Sequence, residues 1–139
     1  MRLVMALILA TAATAQAAAP AETPALTEKG TAAFTMNCVP CHGEKGDGTG
    51  IAAQALNPKP RNFTKDPFKN GGKVENIFDT VTKGLPGTAM VTFAQLPEED
   101  RWALAYHVVA LAKGNPTLPP PAAVGKPGKA AKPGKKPAK

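Results

Sequence analysis

Cys38-Val39-Pro40-Cys41-His42 is the stretch where nucleophilic and metal-ligating side chains crowd together. The chain has two cysteines in all, and His42 is one of two histidines. A thiol–disulfide centre uses Cys-x-x-Cys, but sets it after a strand in a βαβ frame. Here a helical pattern precedes Cys38 and no parallel-strand runs follow. A zinc site needs about four ligands, more than two Cys and two His supply without carboxylates converging on them. A plain disulfide is the ordinary fate of a lone pair in an oxidising compartment, and the adjacent histidine is what argues against it. Covalent haem attachment accounts for all three residues. Thiols at this spacing reach the two vinyl groups on one edge of a porphyrin, and the next residue sets an imidazole under the iron.

The elements that must position this motif are helices. Val74, Ile77, Phe78 and Val81 form an i, i+3, i+4, i+7 stripe that predicts a helix over Val74–Lys83, with Gly84 at its left-handed stop. Another is expected over roughly Thr27–Asn37, with Thr27 as N-cap, Phe34 one turn before Cys38, and Gly30 allowing a second helix to come close. The last is expected to hold Pro97 in its first turn. Glu98, Glu99 and Asp100 complement the dipole, and Lys113, Gly114 and Pro116 follow at the far end. From Trp102 to Ala112 its only strongly polar side chain is His107, so it must be covered on more than one face. Between helices the chain reads as loop, Gly-rich over 43–50 and stiffened by Asn57-Pro58-Lys59-Pro60. A core of this size with so much loop is marginal alone, and a large buried cofactor would supply the missing apolar contacts.

The 139 residues divide into four segments. Residues 1–17 read as a secretory signal: Arg2, a short apolar run, then Ala15-Gln16-Ala17 with small residues at the positions a signal peptidase reads. An uncleaved membrane anchor is the alternative. Residues 18–26 read as a linker and 27–113 as the domain. Residues 114–139 read as a disordered tail, with six Lys, seven Pro, no acid and no aromatic residue. Residues 20–113 carry ten basic and ten acidic residues, so the net charge of +7 belongs to the tail and the signal, and a nucleic-acid partner does not follow from it. Two readings of the tail stand: a solvated extension, or a basic tether to an anionic membrane or an acidic partner.

Over residues 27–113 the chain resembles the class I c-type cytochromes, especially small bacterial monohaem ones. Three stretches carry the likeness: Gly30…Phe34…Cys38-Val39-Pro40-Cys41-His42-Gly43; Gly84-Leu85-Pro86-Gly87-Thr88-Ala89-Met90; and Trp102 with Tyr106, His107 and Val108. The resemblance implies an all-α cytochrome c fold, about three to four short helices and long loops around one covalent haem c. Its first and last helices would cross with Gly30 and Phe34 on one side and Trp102 and Tyr106 on the other. Two departures stand out: His107 where an aromatic is frequent, and Val91 where Pro commonly follows the methionine.

The family pattern places a methionine on the open side of the iron, and elimination reaches the same residue. Met1 and Met5 fall in the signal, and Met36 lies on the attachment side, where it is expected in core or edge packing. Met90 remains, a soft thioether ligand whose pairing with His42 would raise the potential. His107 is the rival distal ligand. By family analogy a carbonyl from Pro58-Lys59-Pro60 would accept the second ring N–H of His42, and Arg61 would pair with a propionate. The function implied is periplasmic electron transfer between redox donor and acceptor proteins. The alternatives are a haem enzyme or gas-binding protein with a labile distal site, and a fixed subunit of a larger redox complex.

Overall fold

The structure, a computed structural model, describes residues 18–116. The expected signal, 1–17, and the tail from 117 onward lie outside the described residues. Helix α1 spans Pro24–Asn37, α2 is one turn over Val39–His42, a 3₁₀ turn covers Ile51–Ala55, α3 spans Val74–Lys83 and α4 spans Glu98–Leu111. There is no strand among the described residues. The fold is all-α.

Helix α1 starts a turn earlier than expected. Thr23 caps it, its hydroxyl accepting from Leu26 N–H at 3.2 Å, and Pro24 takes the first turn, where its missing N–H costs nothing. Thr27 is interior and bonds back to the Thr23 carbonyl. Residues 24–26 of the expected linker are therefore helical, Leu26 is buried, and the Tyr106 hydroxyl donates to the Pro20 carbonyl at 2.5 Å. Helix α3 has the predicted ends, and Gly84 stops it at φ +70°. Pro97 is the N-cap of α4, one place before the first turn.

Helices α1 and α4 cross at Gly30. A Cβ there would lie 2.3 Å from the Ala103 carbonyl oxygen and 3.2 Å from His107 Cβ, so only glycine permits this approach. One turn on, the Phe34 ring packs on the His107 ring at 4.7 Å. This corrects the expected crossing. Ala103 and His107 share a face of α4, whereas Trp102, about 100° round the helix from Ala103, turns to α3 and stacks on Phe78 at 3.8 Å. Arg101 lies over the other partner of that stack, 5.1 Å from the Phe78 centroid, and bonds Thr82 Oγ1. Met36 is 79% exposed rather than packed, because two positions beyond Phe34 it points away from the crossing.

The chain stays packed for a short way past α4. Asn115, assigned to the tail, is buried, and its side-chain amide donates to the carbonyls of Phe63 at 2.7 Å and Asp66 at 2.9 Å.

Candidate haem site

The Cys-x-x-Cys-His stretch is wound into α2 directly after α1. Cys38 N–H still bonds the Phe34 carbonyl, while His42 N–H bonds the Cys38 carbonyl at 2.8 Å and Gly43 N–H the Val39 carbonyl. One helical turn thus sets Cys38 and His42, four apart, on the same face with Cys41 beside them. The Gly-rich loop folds back to close the turn: Gly48 N–H donates to the His42 carbonyl and Gly50 N–H to the Cys41 carbonyl. No disulfide joins Cys38 and Cys41, and burial pushes the Cys38 thiol up to about 12, the opposite of a reactive thiolate.

His42 is held on two sides by one loop. Its Nδ1 lies 3.2 Å from the Arg61 carbonyl, and its ring stacks on Phe63 at 4.5 Å. A carbonyl accepts only, so Nδ1 carries the proton and Nε2 keeps its lone pair for a metal. Burial lowers the imidazole pKa from its ordinary value, the Arg61 carbonyl bond opposes that shift, and the Arg61 charge adds to it. The carbonyl comes from Arg61, one residue past the expected Pro58–Pro60 stretch. Phe63 N–H bonds the Gly46 carbonyl at 2.7 Å, which draws residues 61–63 over the motif, while the Pro60 carbonyl packs against Gly48.

Met90 belongs to a tight loop after α3. Leu85 N–H donates to the Met90 carbonyl at 2.8 Å, Met90 N–H donates to Thr88 Oγ1, and that hydroxyl donates to the Leu85 carbonyl. Val91, in the place of the common proline, is exposed. The chain is instead fastened just beyond it, Thr92 Oγ1 donating to the Thr82 carbonyl at 2.6 Å and Phe93 N–H to the Val81 carbonyl.

Cys38, Cys41, His42, Met90 and Arg61 all line one cavity of about 480 Å³. Its wall is the core itself: Phe34, Phe63, Ile77, Val81, Leu104 and Val108 are both buried core residues and lining residues. The volume lies within the roughly 300–1,000 Å³ typical of organic-ligand pockets. An apolar shell with two thiols, an imidazole and a thioether fits a haem. Lys59, Arg61 and Lys69 are the cationic residues among those that line the cavity. The Arg61 guanidinium also donates to the Pro67 carbonyl. His107 is not among the lining residues; its Nδ1 lies 3.3 Å from Thr31 Oγ1. Among the described residues no three His, Cys, Asp or Glu side chains group as a zinc site requires.

The family model for cytochrome c matches residues 27–112, well over half the chain. The chain belongs to the cytochrome c family. It is 36% identical over 97 residues to the Cbb3-type cytochrome c oxidase subunit FixP of Azorhizobium caulinodans, a match that covers 70% of this chain and 31% of that protein. It therefore spans about a third of the length of the curated relative it matches. A chain of the reducing HAO-like protein complex of Kuenenia stuttgartiensis shares 33% identity and superposes with a TM-score of 0.57, over 61% of this cytochrome and 41% of that chain.

Two residues were not among the expected ones: Phe63, on the cavity wall, and Asn115, which lies off that wall and bonds the Phe63 and Asp66 carbonyls. Phe63 is the lone aromatic in a polar run, Arg61-Asn62-Phe63-Thr64-Lys65-Asp66, and that isolation is a readable sign of an anchoring side chain. Asn115 gives only a weak sign, its place between Gly114 and Pro116 just past a helix end.

Proposed function

We propose that this cytochrome c carries single electrons through one haem c, which Cys38 and Cys41 would hold covalently and whose iron His42 and Met90 would ligate. The observation that supports this is the meeting of these four side chains on one apolar cavity. When bound, haem supplies one-electron chemistry at an iron whose potential His/Met ligation raises. Nε2 of His42 faces that task with its tautomer fixed by the Arg61 carbonyl. Met90, in a loop fastened at both ends, would supply the second protein ligand to the iron, leaving it closed to a substrate. The apolar wall excludes water, and the Arg61 guanidinium offers its remaining donors to a propionate.

We read the chain as exported and working in the periplasm, on the strength of residues 1–17. No helix among the described residues is long and apolar enough to cross a membrane. A second reading, a fixed subunit of a larger redox complex, is favoured by the two relatives, one an oxidase subunit and the other part of a protein complex. Co-purification of an intact partner with the tagged cytochrome would select it over a freely diffusing carrier.

The test of the electron-carrier reading is haem retention and ligand exclusion. Protein made in cells competent for haem attachment should keep its haem absorbance through denaturing electrophoresis. Cys38→Ala together with Cys41→Ala should abolish that retention. Carbon monoxide should leave the reduced wild-type spectrum unchanged at neutral pH. A prompt carbon monoxide shift would transfer the protein to the gas-binding or enzymatic class.

A further inference from the structure

We propose that Asn115, beyond the last residue matched by the family model, is a positioning residue for the His42 imidazole and sets the reduction potential through it. The inference rests on the electron-transfer reading above.

Residues 61–67 form a self-bonded block. Asn62 N–H donates to Asp66 Oδ2 and Asp66 N–H to the Asn62 carbonyl, while Thr64 donates to Asn62 Oδ1 through both its N–H and its hydroxyl. The Arg61 guanidinium closes the block on the Pro67 carbonyl. Its inner side meets His42 through the Arg61 carbonyl and the Phe63 ring. Its backbone is fastened to the rest of the protein at Gly46, which accepts from Phe63 N–H, and at Asn115, whose amide takes the Phe63 and Asp66 carbonyls together.

Asn115 is 5% exposed and is itself fixed by its N–H to the Ala112 carbonyl at the end of α4. It therefore transmits the position of α4 to the group that orients the proximal ligand. A carbonyl on the ring N–H of a metal-bound histidine raises the basicity of the ligand and favours the more highly charged metal. Loosening the block lengthens that bond, disfavours the ferric form and raises the potential.

The experiment is a redox titration of purified holoprotein for wild type and for Asn115→Gln, Asn115→Ser and Asn115→Ala, with the His42 ring-proton resonances recorded for each. The midpoint should rise in the order Gln, Ser, Ala as the amide donor is displaced by a longer side chain, replaced by a hydroxyl, or lost, and the His42 resonances should move with it. Tyr106→Phe, which removes a bond between two residues that do not line the cavity, should lower the melting temperature and leave the midpoint where it was. Unchanged midpoints and unchanged His42 resonances in the Asn115 series, with melting temperature alone reduced, would overturn the proposal. Asn115→Ser keeps a hydroxyl for one of the two carbonyls, and its midpoint decides the question by the same criterion if Asn115→Ala does not accumulate. Wild-type protein that lacks haem would overturn the parent reading instead, and a normal wild type with inert Asn115 variants would overturn this inference alone.

Discussion

His42 and His107 show how placement decides what an imidazole can do. His42 has one ring nitrogen on a carbonyl and the other free, on the cavity wall. His107 has the same ring, but packs on Phe34 beside Thr31 at the α1–α4 crossing. Burial holds its pKa below the ordinary histidine value of about 6.5, so the fold favours the neutral ring. Unfolded chain then binds more protons than folded chain as the solution is acidified, and stability falls with pH. His107's contribution is complete above the unfolded pKa and is lost as pH drops through the lower, folded one. The melting temperature should therefore fall as pH drops below about 6.5, and His107→Phe should flatten that part of the fall. An equal slope in the variant would assign the acid sensitivity elsewhere. The two histidines could not be told apart by composition; the neighbours at 38 and 41 distinguished His42, whereas His107 stood as the rival distal ligand and only the fold sets it off the cavity wall, against Phe34.

At the scale of elements, legibility followed redundancy. The ends of α3 were readable because an apolar stripe and a terminating glycine agree. The start of α1 was misplaced because Thr27 and Thr23 are both plausible caps, and only Pro24 after Thr23 breaks the tie. Gly30 was rightly read as a close-approach residue, though its partner proved to be Ala103 and not the aromatics. Gly30→Ala gains about 1 kcal/mol of helix propensity. A Cβ 2.3 Å from a backbone carbonyl has no flexible neighbour to push aside, and overpacking of this kind costs about 1–3 kcal/mol or more. Net destabilisation is expected, measured as a lower denaturant midpoint; a more stable variant would contradict the crossing geometry. The Met90 loop makes a parallel case. Thr92→Val removes the hydroxyl that bonds Thr82 and receives Ala94 N–H. The loop should open more often, and the reduced variant should bind carbon monoxide under conditions where the wild-type spectrum does not change. A variant spectrum as unresponsive as the wild type's would show that Thr92 does not secure the Met90 loop.

For the whole molecule, hydrophobic core and haem cavity are one object. Among the described residues Phe34 and Leu104 are the largest fully buried side chains, and both line the cavity. That is why a helix apolar nearly all round, read from Trp102 to Ala112, signalled a missing neighbour before the fold was known. What stayed hidden was the set of long-range backbone acceptors, such as the Arg61, Phe63 and Asp66 carbonyls, because every residue carries a carbonyl and sequence does not mark which one is used. Charge is separated from this core: the balanced 20–113 segment contrasts with six lysines beyond Lys113. At low salt each lysine near an anionic surface contributes about 1 kcal/mol. Removing residues 117–139 should therefore weaken sedimentation with phosphatidylserine vesicles by at least tenfold, with no effect on neutral vesicles. Equal sedimentation of both forms would leave the tail as a solvated extension.

The central claim is that His42 and Met90 ligate one iron. Optical spectra of oxidised and reduced holoprotein, wild type beside Met90→Ala, test it most directly. The wild type should show sharp reduced c-type bands and a weak ferric band near the red edge from sulfur-to-iron charge transfer. Met90→Ala should keep the covalent haem, lose that ferric band and bind carbon monoxide. A ferric band that survives in Met90→Ala, or is absent from the wild type, would contradict methionine ligation by Met90, and a wild type without haem bands would contradict the whole account.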